Sequence, residues 1–257
     1  MTQLRNKPHP QVYSGIMSMH NEDYIAILET GIPPAGLDAA YGTYADMFAD
    51  LLADEGRSFK VFKTLEGELP FQDKHLKGVV ITGSPAGVYE TDPWIMALMD
   101  WLRALDTETP VVGICFGHQV MAQAWGGHVE KSHKGWGIGL HEYEVQAHDL
   151  WQELAGAKGI KIACAVTHQD QVVTKPENAI VLAGSEFTPH GALYYTDRKG
   201  LSFQCHPEFC EDFASDLLIS RRGIRIDPAL VDQALTTLKK PSQRHDLLGA
   251  ISKFLGA

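Results

Sequence analysis

The chain has 257 residues, of which 44% are hydrophobic and 21% are charged, and its formal net charge at pH 7 is −10. The length suits one large α/β domain or two small ones, and the composition allows a full hydrophobic core. The negative charge argues against nucleic acid as a main partner, because phosphate binding needs a basic surface, and no apolar run is long enough to span a membrane.

The first 20 residues are expected to form a loose N-terminal extension. They carry Arg5 and Lys7 but no apolar stretch, so they do not resemble a signal peptide. Four cysteines in a chain of this size do not indicate a disulfide framework, so a reduced, cytoplasmic setting is expected. Because no repeat or linker divides the remainder, residues 1–257 are predicted to form a single domain.

The first half of the chain alternates between strands and helices. Apolar runs predict strands, and amphipathic stretches predict helices. The predicted strands are 24–28, 59–62, 78–81 and 111–114, and the predicted helices are 41–54, 94–105 and the segment after residue 115. This order is typical of a doubly wound, mostly parallel sheet flanked by helices.

The pattern changes after residue 127, where short strands follow one another with few helices between them. Such strands are expected to add short antiparallel pairs to the edge of the sheet. The predicted strands lie within 135–145, 160–166, 171–173, 179–183, 191–195 and 201–204, and the predicted C-terminal helices are 213–219, 228–238 and 245–255.

The strand 111–114 stops at Cys115 and turns at once into a helix. Gly113 and Gly117 flank the cysteine, as in the sharp strand-to-helix turn that exposes a nucleophile at the carboxyl end of a sheet. The positive end of the helix dipole favours an anion there, so the thiol ionises more readily than a free one. The pattern therefore predicts that Cys115 is a nucleophile rather than a small core residue.

A thiol nucleophile needs a base, and the base needs a group that orients it. His206 follows the last predicted strand, and the carboxyl ends of parallel strands meet at one edge of the sheet. Glu208 lies two residues further on, with Pro207 stiffening the link. The three residues Cys115, His206 and Glu208 are therefore predicted to form a catalytic triad.

Acyl transfer also needs hydrogen-bond donors for the oxyanion. The backbone N–H of Phe116, which opens the helix, is one candidate. The loop after strand 78–81 offers a second donor from Gly83 or Ser84, since the following Pro85 has no N–H.

A zinc site is a weaker interpretation of the same region. Cys205, His206, Glu208 and Cys210 are close in sequence, but ligands packed so tightly at the end of a strand cannot easily surround one ion. We therefore predict no metal.

With these residues assembled, the chain resembles the class I, triad-type glutamine amidotransferases. The segment 110–119 matches the elbow motif of that family, and 203–208 is similar to its second motif. The resemblance covers about residues 24–213 and implies a flavodoxin-like fold. Because the chain leaves no room for an ATP-using domain, it is most similar to the stand-alone branch, which includes GMP-synthase-like and γ-glutamyl peptidase-like proteins.

The resemblance implies that Cys115 attacks the γ-carbonyl of glutamine and that water hydrolyses the thioester to glutamate, with release of ammonia. It also implies that Gln119 contacts the substrate. The backbone of the segment that contains His168 and Gln169 would then bind the amino and carboxylate ends of the substrate. No cofactor is expected.

Three functions stay open at this point. The first is glutamine hydrolysis, with ammonia released or transferred on a separate synthetase partner. The second is a stand-alone γ-glutamyl hydrolase or peptidase that uses the same triad on a small-molecule substrate. The third is a weakly active binding or regulatory protein on this fold.

Overall fold

The computed structural model describes residues 22–53, 56–149, 151 and 161–256. The expected extension over residues 1–20 lies outside the described residues. Within the described part, none of the helices combines the length and the apolar character that a membrane crossing requires.

The described strands form a nine-stranded sheet in the order β2-β1-β3-β4-β11-β10-β9-β6-β7 and a two-stranded sheet of β5 and β8. In chain order the strands are β1 Tyr24–Glu29, β2 Phe59–Lys63, β3 Leu76–Ile81, β4 Val111–Ile114, β5 His128–Lys131, β6 Gly137–Val145, β7 Lys161–His168, β8 Asp170–Thr174, β9 Ala179–Gly184, β10 Ala192–Tyr195 and β11 Gly200–Phe203.

Helices connect and cover these strands. They are α1 Leu37–Tyr41, α2 Tyr44–Leu51, α3 Pro93–Ala104, α4 Phe116–Ala124, α5 Glu211–Arg221, α6 Pro228–Thr237 and α7 Arg244–Phe254, with a 3-10 turn at Thr64–Glu66. The start of α2 is a capping box, in which the side chain of Thr43 accepts from the backbone of Asp46 and the side chain of Asp46 accepts from the backbone of Thr43.

The predicted fold class is confirmed. Strands β2, β1, β3, β4 and β11 pair in parallel, and β10, β9, β6 and β7 extend the sheet with antiparallel pairs. Helices flank the sheet as the alternating pattern predicts.

Alternating side chains of the central strands enter two cores. Ile25 and Ile27 of β1 face a core that includes α2 and α7, while Ala26 and Leu28 face a core that includes α3 and α4. Both faces of β1 are therefore buried, which explains why this strand is continuously apolar. A third cluster joins α5 and α6 to β6 and β7.

Three elements differ from the sequence prediction. The segment 171–173 is a strand, but it belongs to β8 and pairs with β5 outside the main sheet. Neither β5 nor α1 was predicted. Val129 is the single buried residue of β5, and α1 has no buried residue, so neither element carries a clear apolar period.

The turn between β4 and α4 requires close contact between two backbones. A Cβ placed on Gly117 would contact the carbonyl oxygen of Ile81 in β3 and lie 3.0 Å from the Cβ of Ile81. Glycine at this position therefore lets α4 begin against the neighbouring strand.

Gly117→Ala is expected to lower the free energy of unfolding by about 1–3 kcal/mol, because the buried methyl group overpacks this contact. Gly249→Ala in α7 is the matched control. A Cβ there meets nothing within 4 Å, so alanine should stabilise the helix by about 0.5–1 kcal/mol. Urea denaturation of both variants checks the opposite signs, and equal effects would contradict the contact.

Candidate active site

Cys115 occupies a strained corner between β4 and α4. It has φ 53° and ψ −99°, and it is the one non-glycine residue with positive φ among the described residues. Such a conformation costs about 1–3 kcal/mol and persists only where the surroundings fix it. Its backbone N–H donates to Phe203 O at 2.8 Å, and its carbonyl accepts from the N–H of Gln119 at 3.1 Å.

The parallel pairing of β4 with β11 brings His206 to the same edge of the sheet. Ile114 is in register with Phe203, so both strands end side by side, Cys115 follows the first and His206 follows the second. The backbone N–H of His206 donates to Ala165 O in β7 at 2.8 Å, and its ring stacks on Phe209 with centroids 4.0 Å apart.

His206 and Glu208 form a buried pair. His206 Nδ1 and Glu208 Oε1 are 2.7 Å apart, and both side chains are almost fully shielded from solvent. Arg244 of α7 fixes the backbone beneath them, donating to Pro207 O at 2.9 Å and to Glu208 O at 3.2 Å. The carboxylate is thereby placed to hold Nδ1 protonated and leave Nε2 available.

The surroundings favour a protonated ring on His206. Burial by itself lowers the pKa of His206. The negative charge of Glu208 raises it, Cys115 raises it further, and the net result is a pKa of about 10. His206 Nε2 makes no hydrogen bond of good geometry with any described residue. Cys115 is nevertheless close enough to raise the pKa of the ring.

Cys115 and His206 line one cavity of about 480 Å³, together with Gly83 and Ser84 of the loop after β3. Gly83 lies against both side chains, because a Cβ on it would be 2.9 Å from His206 Cε1 and 3.7 Å from Cys115 Cβ. Phe116 does not line the cavity with its side chain, which is buried against Trp94. Its position as the first residue of α4 leaves its backbone N–H without a partner inside the helix.

Gln119, His168 and Gln169 also line the cavity. The amide nitrogen of Gln119 already donates to Asp170 O at 2.8 Å and to Gln204 Oε1 at 3.1 Å, so this group holds β8 in place. Burial lowers the pKa of His168 to about 3, which keeps its ring neutral, and its Nδ1 lies 3.1 Å from Asp170 O.

The residues of the weaker zinc interpretation do not form a ligand set in the structure. Within the described residues, no three His, Cys, Asp or Glu side chains are arranged to hold a metal ion. Cys205 is buried and interacts with Cys164, and the sulfur of Cys210 accepts from the N–H of Phe213 at the start of α5.

Sequence reasoning missed Arg244, which braces the His206–Glu208 segment, and it missed Tyr44, Arg221 and Arg225, which line the cavity. None of these residues belongs to either motif. Only their positions after folding bring them to the site, and no local spacing could have identified them.

The chain is similar to known proteins in sequence. The family model described as glutamine amidotransferase class-I matches residues 38–222. A glutamine amidotransferase-like protein of Schizosaccharomyces pombe is 30% identical over 248 residues, which cover 90% of this chain and 98% of that protein. Gamma-glutamyl peptidase 4 of Arabidopsis thaliana is 35% identical over 187 residues, covering 69% and 72% of the two chains.

The fold is also found in a solved structure. The crystal structure of a glutamine amidotransferase from Thermotoga maritima has a TM-score of 0.71 and 20% identity, and the match covers 93% of this chain and all of that one. This likeness supports the fold, while the sequence matches establish the relationship: the chain belongs to the class-I glutamine amidotransferase family.

Proposed function

We propose that this protein hydrolyses the γ-amide bond of glutamine or of another γ-glutamyl compound through a thioester on Cys115. The observation that carries the proposal is the meeting of Cys115, on its strained corner, with the buried His206–Glu208 pair at one cavity. A buried carboxylate and a strained cysteine both cost stability, so their arrangement in one site favours a catalytic role over a purely structural one.

In this mechanism the proton of the Cys115 thiol passes to His206 Nε2 before the substrate reacts, and the thiolate Sγ then attacks the γ-carbonyl carbon. The C–N bond then breaks, the amine leaves with a proton from His206, and a thioester remains on Cys115. Water, deprotonated by His206, hydrolyses the thioester and releases glutamate. Glu208 holds the ring through Nδ1 and stabilises its positive charge.

The oxyanion of the tetrahedral intermediate needs donors in place before reaction. The backbone N–H of Phe116 at the start of α4 is one proposed donor. The N–H of Gly83 or Ser84 is the other, since Gly83 packs directly against Cys115 and His206. Gln119, His168 and Gln169 would shape the part of the cavity that receives the γ-glutamyl group.

A γ-glutamyl hydrolase or peptidase is the second candidate within this chemistry. A cavity of about 480 Å³ is of a size that accommodates ligands larger than a single small amino acid. The similarity to the relative from Arabidopsis thaliana that is described as a gamma-glutamyl peptidase also supports this second candidate.

The first experiment measures release of ammonia from glutamine and of free amino acid from a γ-glutamyl dipeptide by the purified protein. Faster turnover of the dipeptide would favour the hydrolase, and faster turnover of glutamine would favour the glutaminase. If neither substrate is hydrolysed while added partner proteins restore glutamine turnover, the ammonia passes to a separate synthetase. Absence of all turnover under both conditions would contradict the proposal.

Cys115→Ala is expected to reduce turnover of either substrate by at least about 1,000-fold, because no thioester can form. The matched control is Cys210→Ser, which keeps a hydrogen-bond acceptor at the N-cap of α5. Circular dichroism checks that both variants fold. Substantial hydrolysis by Cys115→Ala would remove the nucleophile assignment.

The reactivity of Cys115 should depend on Glu208. The ring of His206, whose pKa is about 10, stays protonated over the neutral pH range, and its positive charge attracts negative charge on the neighbouring sulfur of Cys115. In Glu208→Gln the main group that raises this pKa is lost, burial lowers it, and a neutral ring no longer stabilises the thiolate. Alkylation of Cys115 near pH 7 should then be slower than in the wild type, because a thiolate reacts faster than a thiol.

The alkylation rate is followed with iodoacetamide by peptide mass spectrometry between pH 5.5 and 10, a range that spans the ordinary thiol pKa. Glu130→Gln is the control, because Glu130 also lies beside a histidine, His128, but on the exposed surface. An unchanged pH profile in Glu208→Gln would contradict the coupling of the two buried groups.

A further inference from the structure

Two arginines line the cavity, and neither has a carboxylate partner among the described residues. Arg221 is the last residue of α5, and Arg225 follows in the next turn, where its backbone N–H donates to Arg221 O at 3.0 Å. Arg221 NH1 donates to the hydroxyl of Thr167 at 2.8 Å, which fixes the guanidinium but does not neutralise it. We call these two residues the arginine pair.

The two arginines differ in exposure: Arg221 is half-buried and carries an electrostatic cost, whereas Arg225 is exposed. Burial lowers the pKa of Arg221 and the like charge of Arg225 also lowers it, while Tyr44 and Cys115 offset only part of this effect. Tyr44, which also lines the cavity, stays a neutral phenol because burial raises its pKa. Guanidinium groups bind carboxylates through paired, charge-assisted hydrogen bonds, so a carboxylate in the cavity would relieve this cost.

Other charges in the cavity already match the γ-glutamyl group. Glu90 and Asp170 provide negative charge for an α-ammonium group, and Lys131, which interacts with Asp170, provides positive charge for an α-carboxylate. These three residues would serve the free amino acid end of the γ-glutamyl group. The arginine pair is therefore available for a second carboxylate, which glutamine does not have.

The arginine pair stands between the cavity and a neighbouring pocket of about 290 Å³, to which Tyr44 and Pro85 also contribute. The lining of this pocket includes exposed apolar side chains: Ile32 is 59% exposed and Ile224 is 82% exposed. A group held by the arginine pair would therefore lie beside apolar surface.

We infer that the arginine pair binds the carboxylate of the leaving amine, and that the preferred substrates are γ-glutamyl amino acids or peptides with an apolar residue after the γ-glutamyl group. This inference rests on the proposed hydrolysis at Cys115 and names its substrate class. The arginines are specificity-determining residues that touch the leaving group, while the bond-breaking steps remain those of Cys115 and His206.

The test compares γ-glutamyl-leucine with γ-glutamyl-leucinamide, which lacks only the second carboxylate. The wild-type protein should show a kcat/KM about 10- to 100-fold higher for γ-glutamyl-leucine, the range expected for hydrogen bonds between charged groups. In Arg225→Gln and Arg221→Gln this ratio should fall toward one, mainly through a higher KM for γ-glutamyl-leucine. Arg225→Lys keeps the charge and should retain part of the preference.

Arg222→Gln is the matched control on the same helix end. Its guanidinium pairs with Asp232 on the surface at 2.8 Å and does not line the cavity, so the ratio should stay at the wild-type value. A wild-type ratio near one would overturn the inference. A ratio that survives in both arginine variants would overturn it as well, as would an equal fall in kcat/KM for both substrates.

Binding to Cys115→Ala keeps the inference separate from the proposed function. Calorimetry with γ-glutamyl-leucine and γ-glutamyl-leucinamide should show tighter binding of the first ligand, and Arg225→Gln in the same background should remove the difference. If the wild type hydrolyses nothing, the proposed function fails while this measurement still decides the carboxylate site. Equal binding of the two ligands would overturn the inference even in an active protein.

Discussion

The parallel pairing of β4 with β11 is the constraint on which the site depends. These strands are distant in sequence, yet their register sets Ile114 beside Phe203, and the N–H of Cys115 donates to Phe203 O. Each strand ends at the same edge of the sheet and is followed by one reacting group of the proposed mechanism. A shift of one residue in this register would move the side chains of one strand to the opposite face of the sheet.

The two halves of the sheet hold His206 from both sides. Strand β11 of the parallel half leads directly to His206. In the antiparallel half, Ala165 O of β7 accepts a hydrogen bond from the backbone N–H of His206. Arg244 then ties the Pro207–Glu208 backbone to α7, whose apolar face packs in the core beside α2. Precise placement of the ring thus depends on both the added antiparallel strands and a helix near the end of the described chain.

Local patterns were sufficient for the central strands and for the residues that carry the proposed chemistry. The elbow around Cys115 and the His206–Glu208 spacing are signals of adjacent residues, and the fold class follows from the alternation of strands and helices. The brace from Arg244 and the arginine pair depend on which elements meet after folding, so no local spacing reports them. The strand β5 was missed because a single buried side chain, Val129, gives no period to detect.

The burial of Glu208 bears on how a protein of this architecture could lose activity over evolutionary time. Replacing His206 would leave a fully buried carboxylate without its partner, and breaking a buried ion pair costs about 3–5 kcal/mol. Replacing Cys115 removes only a small side chain from the turn between β4 and α4. If Cys115 is the nucleophile as proposed, inactive descendants should therefore keep the histidine and the glutamate and differ at the cysteine.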